Sequence, residues 1–249
     1  MTLPASRTHF SVWDLPLRLF HWLLVASIAV AFLSSEEDSA LAGWHIAAGW
    51  VAAVLIAFRL AWGFVGGEHA RFANFIRPTR ALAHFRDLAS GQTERTVGHN
   101  PAGGLAVLVL LGGIAAVILT GWTAFQGGEE DLHEGIAWAL LGFIGIHVAA
   151  VIATSVLSRE NLARAMVTGK KASADHPHAQ PARAASPTGI LLALALTAAT
   201  VAGIRTLDAQ AFNVHQREGG EREAGEGGEG SGASEEGESE EHEGEDDRD

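Results

Sequence analysis

An all-α, membrane-spanning bundle is the fold class that this sequence predicts: four transmembrane helices, a fifth beyond them, and an acidic C-terminal tail predicted to be disordered. Three observations lead there. Hydrophobic residues make up 48% of the 249 positions and charged residues only 18%. Four apolar stretches reach the roughly 20 residues that a helix needs to cross a bilayer. Charge is also partitioned: Arg217–Asp249 holds 15 acids and three arginines, a net −12, whereas residues 1–216 hold 14 acids and 14 bases. The body is therefore neutral and very apolar, which excludes a basic nucleic-acid binder. With no cysteine in the chain, a disulfide scaffold, zinc ribbon, iron–sulfur protein or thiol enzyme is excluded too.

The spans are expected at about Leu15–Leu33, Trp44–Val65, Pro101–Phe125 and His133–Leu157, with the shorter fifth at about Thr188–Ile204. Glycines inside them (Gly49, Gly112, Gly113, Gly142, Gly145) let neighbouring helices or a flat ligand approach closely. Trp22, Trp44, Trp62 and Trp122 near the ends fit an interfacial aromatic belt. Arg18 and His21 lie inside the first span, so it is not read as a cleavable signal. These boundaries divide the chain into a transmembrane domain over 1–171, a linker over 172–187, the fifth helix over 188–205 and a tail over 206–249. The tail's Gly/Glu/Ser composition leaves almost nothing to bury, hence the expected disorder.

Orientation follows from the lysine and arginine bias. Arg71, Arg77, Arg80, Arg86 and Arg95 follow the second span, and Arg159, Arg164, Lys170 and Lys171 follow the fourth; Arg7 precedes the first. The other two loops carry Glu36, Glu37 and Asp38, and Glu129, Glu130 and Asp131, with no base. The N-terminus is expected in the cytoplasm and, if the fifth segment spans, the tail outside.

Twelve histidines are present, and four lie in or at the edge of the spans: His21, His45, His133 and His147. Ionisable residues at membrane depth are costly and usually functional. His133 and His147 are fourteen residues apart, which on a helix is about 21 Å of rise and roughly 40° short of a whole number of turns. They share a face at two depths. His45 begins the second span on the outer side, level with His133, and His21 lies just inside the first, level with His147. Two histidine pairs at two heights are what two six-coordinate b haems require. No Cys-x-x-Cys-His is present for covalent haem attachment. Arg59, fourteen residues after His45, and Arg18, one turn before His21, are placed to meet haem propionates; snorkelling to the membrane edge is the competing role for each. A zinc or proton-transport site is the main rival for the histidines. Such a site normally adds buried carboxylates, and Glu134 sits only at the outer edge.

Several runs carry a family resemblance. Val12-Trp13-Asp14-Leu15-Pro16-Leu17-Arg18-Leu19-Phe20-His21-Trp22 resembles the first helix of the prokaryotic cytochrome b-561 / nickel–iron hydrogenase cytochrome b family. So do Phe58-Arg59-Leu60-Ala61-Trp62-Gly63-Phe64, Gly98-His99-Asn100-Pro101-Ala102-Gly103-Gly104, Leu132-His133-Glu134, Arg159-Glu160-Asn161-Leu162 and Met166-Val167-Thr168-Gly169-Lys170. The resemblance covers about residues 10–171; the fifth segment and tail lie outside it. It implies a four-helix bundle in a bacterial inner membrane. Such a bundle holds two haem b, with His21 and His147 as the inner ligands and His45 and His133 as the outer, and passes electrons between an outer-face partner and the quinone pool of a respiratory chain. It also implies a quinone or quinol site near His147, His21 and the start of the third span.

His99 is a candidate for binding quinone, contacting a propionate, capping the third helix or rivalling His21 as inner ligand, against an interfacial role in leading the chain into Pro101. His69 and His84 read as ordinary loop histidines, and His176 and His178 as weak candidates for stray metal. No catalytic side chain is assigned; the expected role is that of an electron-transfer subunit of oxidoreductase type. The outer partner is open between a hydrogenase or dehydrogenase subunit, a periplasmic c-type cytochrome, and superoxide. The acidic tail could attract a lysine-rich redox protein, or serve only to solubilise or space. A membrane-anchor subunit whose haems carry little flux and an ion or metal transporter are the readings from other classes.

Overall fold

The computed structural model describes residues 9–36, 41–76, 96–177 and 179–214. The acidic run Arg217–Asp249, His84, His178, His215, His242, Arg7, Arg77, Arg80, Arg86, Arg95, Glu37 and Asp38 lie outside the described residues. Five helices long and apolar enough to span a membrane are present among the described residues, so the expected fold class holds. They are α1 (Leu15–Leu33), α2 (Ala42–Val65), α4 (Pro101–Phe125), α5 (Glu130–Ser158) and α7 (Pro187–Leu207); α3 (Phe72–Phe75) and α6 (Leu162–Thr168) are short.

Three of the long helices start alike. Asp14, Asn100 and Ser186 are N-caps, accepting from the backbone N–H of Leu17, Gly103 and Gly189, and each is followed by a proline in the first turn. Cap and proline together satisfy or remove donors that a helix start leaves unpaired. The fourth long span starts earlier than expected. α5 takes in Glu130 and Asp131 in its first turn, where carboxylates complement the helix dipole. Its 29 residues give about 43 Å of length, more than a hydrocarbon core needs. It stops at Arg159, whose φ of 56° turns the chain out of the helix.

α2 is central. It packs against α1 on one flank, α7 on another and α4 on a third, and α4 packs in turn on α5. Small residues make the close approaches possible. Ser27 Oγ donates to the Ala48 carbonyl at 2.6 Å between α1 and α2, and Ala193 of α7 is 1% exposed. The core joins Leu17, Phe20 and Leu24 to Ile56, Trp62, Leu111, Ile114 and Leu140.

Outside the bundle lies a feature that helical periodicity does not announce. His9–Ser11 (β1) and Lys170–Ala172 (β2) pair antiparallel, with Phe10 opposite Lys171. The stretch read as a linker is tied to the body as well. Ala182 N donates to the Ser11 carbonyl, Glu68 N to the Arg183 carbonyl and Arg183 N to Glu68 Oε2. β1, β2, α6 and this strap gather at one end of the bundle with Arg71, Arg159, Arg164 and Lys170; the opposite end carries Glu36, Glu129, Glu130, Asp131 and Glu134. They are called here the basic and acidic ends.

Candidate functional site

At the acidic end, the first turns of α2 and α5 bring His45 and His133 together. Their ring centroids lie 5.9 Å apart at an interplanar angle of 89°. A metal–imidazole bond of about 2 Å on each side of one ion, plus the radius of each ring, places two axial imidazoles roughly 6 Å apart, so the spacing fits a shared ion. Each ring is also aimed. His45 Nδ1–H donates to the Ala31 carbonyl at 2.8 Å, one of the carbonyls that the end of α1 leaves without a helical partner. His133 Nδ1–H is shared between the Val117 carbonyl at 3.1 Å and Thr120 Oγ1 at 3.3 Å, while the Thr120 hydroxyl donates back to Ala116. A carbonyl can only accept, so both neutral rings carry their proton on Nδ1. Each Nε2 lone pair is thereby left for a metal.

These two rings line a cavity, partly open to the outside, between α1, α2, α4 and α5. Its walls are apolar and include Ile28, Phe32, Trp50, Ile114, Val117 and Trp122, the composition expected of a cofactor pocket. Gly49, one turn after His45, also lines it, and nothing lies within 4 Å of where a Cβ on Gly49 would point. On the other wall a Cβ at Gly121 would sit 2.9 Å from His133 Cε1. The ring can stand there only because Gly121 has no side chain. His45 and His133 could hold a flat macrocyclic cofactor at this level.

Nearer the basic end, His21 of α1 lies within electrostatic reach of His147 of α5, and its ring stands edge-on to Trp22 at 5.2 Å. Arg59 of α2 does not snorkel. It is 2% exposed, its guanidinium rests on the Phe72 ring at 4.6 Å, and neither terminal nitrogen has a hydrogen-bond partner. Arg18 Nε is likewise buried without a partner. An unpaired buried guanidinium is a large desolvation cost, and that of Arg59, with the unpartnered Nε of half-buried Arg18, points to a missing anion. A pair of carboxylates on a cofactor fits that need.

His99 immediately precedes α4. The cap is Asn100, so the capping role considered for His99 belongs to its neighbour. The imidazole packs between Trp13 at 4.7 Å and Phe75 at 4.5 Å, with Nδ1 buried and unpartnered. Burial first, then the nearby Arg59, His69, His147 and His21, push it down to about 3. It is a neutral polar group beside the His21–His147 level.

The structure adds residues that sequence reasoning passed over. Asp14 does more than cap: its carboxylate also accepts from the Trp62 indole N–H and from Gly67 N, joining the start of α1 to the end of α2. His69, read as an ordinary loop residue, stands edge-on to Trp13 at 6.2 Å, and burial holds it below the usual histidine range. His176, considered for stray metal, instead pairs through Nε2 with Glu160 Oε1. Lys171 Nζ joins the same carboxylate at 3.2 Å and donates to the Thr96 carbonyl at 2.7 Å, which ties down the segment leading to His99. Adjacent motif positions such as Trp13-Asp14 were the available signal for Asp14; nothing in local sequence ties Lys171 to Thr96.

A family model described as prokaryotic cytochrome b561 matches residues 12–169. Among curated proteins, the chain is 25% identical to a "Probable Ni/Fe-hydrogenase B-type cytochrome subunit" of Rhodobacter capsulatus, over 66% of this chain and 82% of the relative. Proteins with the same description from Azotobacter vinelandii and Azotobacter chroococcum mcd 1 are 26% and 27% identical, each over 66% of this chain and 89% of the relative. No solved structure matches the chain.

Proposed function

The chain belongs to the prokaryotic cytochrome b561 family, and from that premise we propose that it is a di-haem membrane cytochrome b that moves electrons between a partner at its acidic end and the quinone pool near its basic end. The observation that carries the reading is the aimed pair His45 and His133 beside an apolar cavity, 5.9 Å apart. Haem b, when bound, supplies a reversible one-electron couple.

The protein's own work is positional. The Ala31 and Val117 carbonyls fix the tautomer of His45 and His133 and raise their basicity as ligands. His21 and His147 serve as the second pair. Arg59 and Arg18 neutralise propionates at that level, and the surrounding phenylalanines keep water from the guanidinium of Arg59. His99 offers a neutral, buried hydrogen-bonding nitrogen to a quinone oxygen. The basic end faces the cytoplasm and the acidic end the periplasm. Because the relatives are described as Ni/Fe-hydrogenase subunits, a hydrogenase is the favoured outer partner. The polyanionic Arg217–Asp249 segment gives a basic redox protein such as a c-type cytochrome a second route to that face.

A reduced-minus-oxidised spectrum with pyridine haemochrome quantitation tests the core of this. Two b haems per chain are expected. His45→Ala or His133→Ala should remove one, and His21→Ala or His147→Ala the other. A colourless protein, or four variants that all keep both haems, would overturn it.

A further inference from the structure

We propose that Asp208, through Trp50, is a positioning residue for the cofactor site at the acidic end, which makes α7 a working part of that site. The inference rests on reading the cavity beside His45 and His133 as a haem site. The family match ends at Gly169, so α7 and Asp208 lie beyond it. α7 runs antiparallel to α2. At the basic end a Cβ on Gly189 would sit 2.7 Å from the Val65 carbonyl oxygen, so the two backbones touch. At the acidic end the Trp50 indole N–H donates to Asp208 Oδ2 at 2.9 Å.

Asp208 is itself held. Its N–H donates to the Ile204 carbonyl at 2.8 Å, and its Oδ1 accepts from Gln210 N at 3.0 Å. Trp50 follows His45 by five residues and lines the same cavity. Its ring lies 5.2 Å from that of Trp122, and Trp122 stacks on Phe125 at 5.7 Å and 29°. All three line the cavity. One carboxylate on α7 thus anchors the end of an aromatic wall that stands beside the two histidines.

The physical reason is the single polar atom of an indole. A tryptophan has one N–H, and a charged acceptor at hydrogen-bond distance holds the ring in one orientation far better than packing against neighbouring rings alone. Without that acceptor, Trp50 is free to rotate about its side-chain torsions, and the wall it forms with Trp122 loosens. The cavity then grips a flat ligand less tightly and lets the two imidazoles settle at a different mutual angle.

The test uses the full-length holoprotein in detergent, with apomyoglobin as haem acceptor. Asp208→Ala and Trp50→Phe each remove the hydrogen bond from one side. Each should speed haem release from the acidic-end site roughly tenfold, the worth of one charge-assisted hydrogen bond, and leave release from the His21–His147 site unchanged. The double variant should release no faster than the faster single, because both remove the same Trp50–Asp208 hydrogen bond. The ferric EPR signal of the affected haem, which reports the relative orientation of its axial imidazoles, should shift in both. Leu191→Ala, on the exposed face of α7, should do neither. Unchanged release and EPR, accelerations that add in the double variant, or equal acceleration at both sites would overturn the proposal. A wild-type protein that binds no haem would instead overturn the reading on which it rests, and the two failures are distinguishable.

Discussion

Gly121 shows how much a missing methyl group decides. With His133 Cε1 only 2.9 Å from where its Cβ would be, Gly121→Ala should push the ring off its shared hydrogen bond to Val117 and Thr120. Substitution of glycine by alanine inside a helix would otherwise stabilise it by about 1 kcal/mol. The expected result is therefore haem loss confined to this level without a fall in thermal stability, read from haem content and unfolding together. His99 carries a pH signature. The folded chain holds it at about 3 against an ordinary 6.5, so the unfolded state binds the extra proton between those values. Its share of stability is intact at neutral pH and is lost as pH falls from about 6.5 toward 3. Thermal unfolding at pH 7 and pH 5 should show a larger drop in the wild type than in His99→Gln, which has no such proton to bind. Residues of this kind differ in legibility. The four membrane-depth histidines and Arg59 stood out because charge and imidazole are rare in apolar runs. His69 and Lys171 did not, because a loop residue's burial depends on what folds over it.

At the level of elements, the start of α1 does two jobs. Asp14 caps its own helix and accepts the Trp62 indole N–H and Gly67 N, while Trp62 is only 2% exposed. Asp14→Ala should cost roughly 2–4 kcal/mol, the sum of a lost cap and an indole N–H buried without a partner. A thermal scan in detergent measures it, and Asp14→Asn, which keeps the acceptor, should recover part of the loss. The spans themselves were readable from length and hydropathy, since a bilayer imposes both. Two features were not. β1 and β2 are too short and too far apart in sequence to leave a period-2 signal, and the strap over Ala182 and Arg183 is held by backbone groups whose partners no side-chain pattern names.

For the whole molecule, the order of ends is the main consequence. α7 starts against the end of α2 and finishes beside Trp50, near the start of α2, so the residues after α7 emerge at the acidic end. The absence of native cysteine makes single-cysteine labelling clean. Ala209→Cys should react with an impermeant maleimide from the periplasmic side and Arg164→Cys from the cytoplasmic side; labelling of both from one side would refute the five-span topology. The sequence by itself determined the membrane, four spans with a fifth left open, and the family, and it proposed the two histidine heights. Each follows from composition, rise per residue and motif spacing along one chain. Only the tertiary structure decided which carbonyls aim His45 and His133, that Arg59 lies buried on Phe72 with no hydrogen-bond partner on its terminal nitrogens, and that Asp208 at the end of α7 reaches Trp50 in the cavity wall. Those facts depend on contacts between helices far apart in sequence, and packing, not local periodicity, sets which atoms meet.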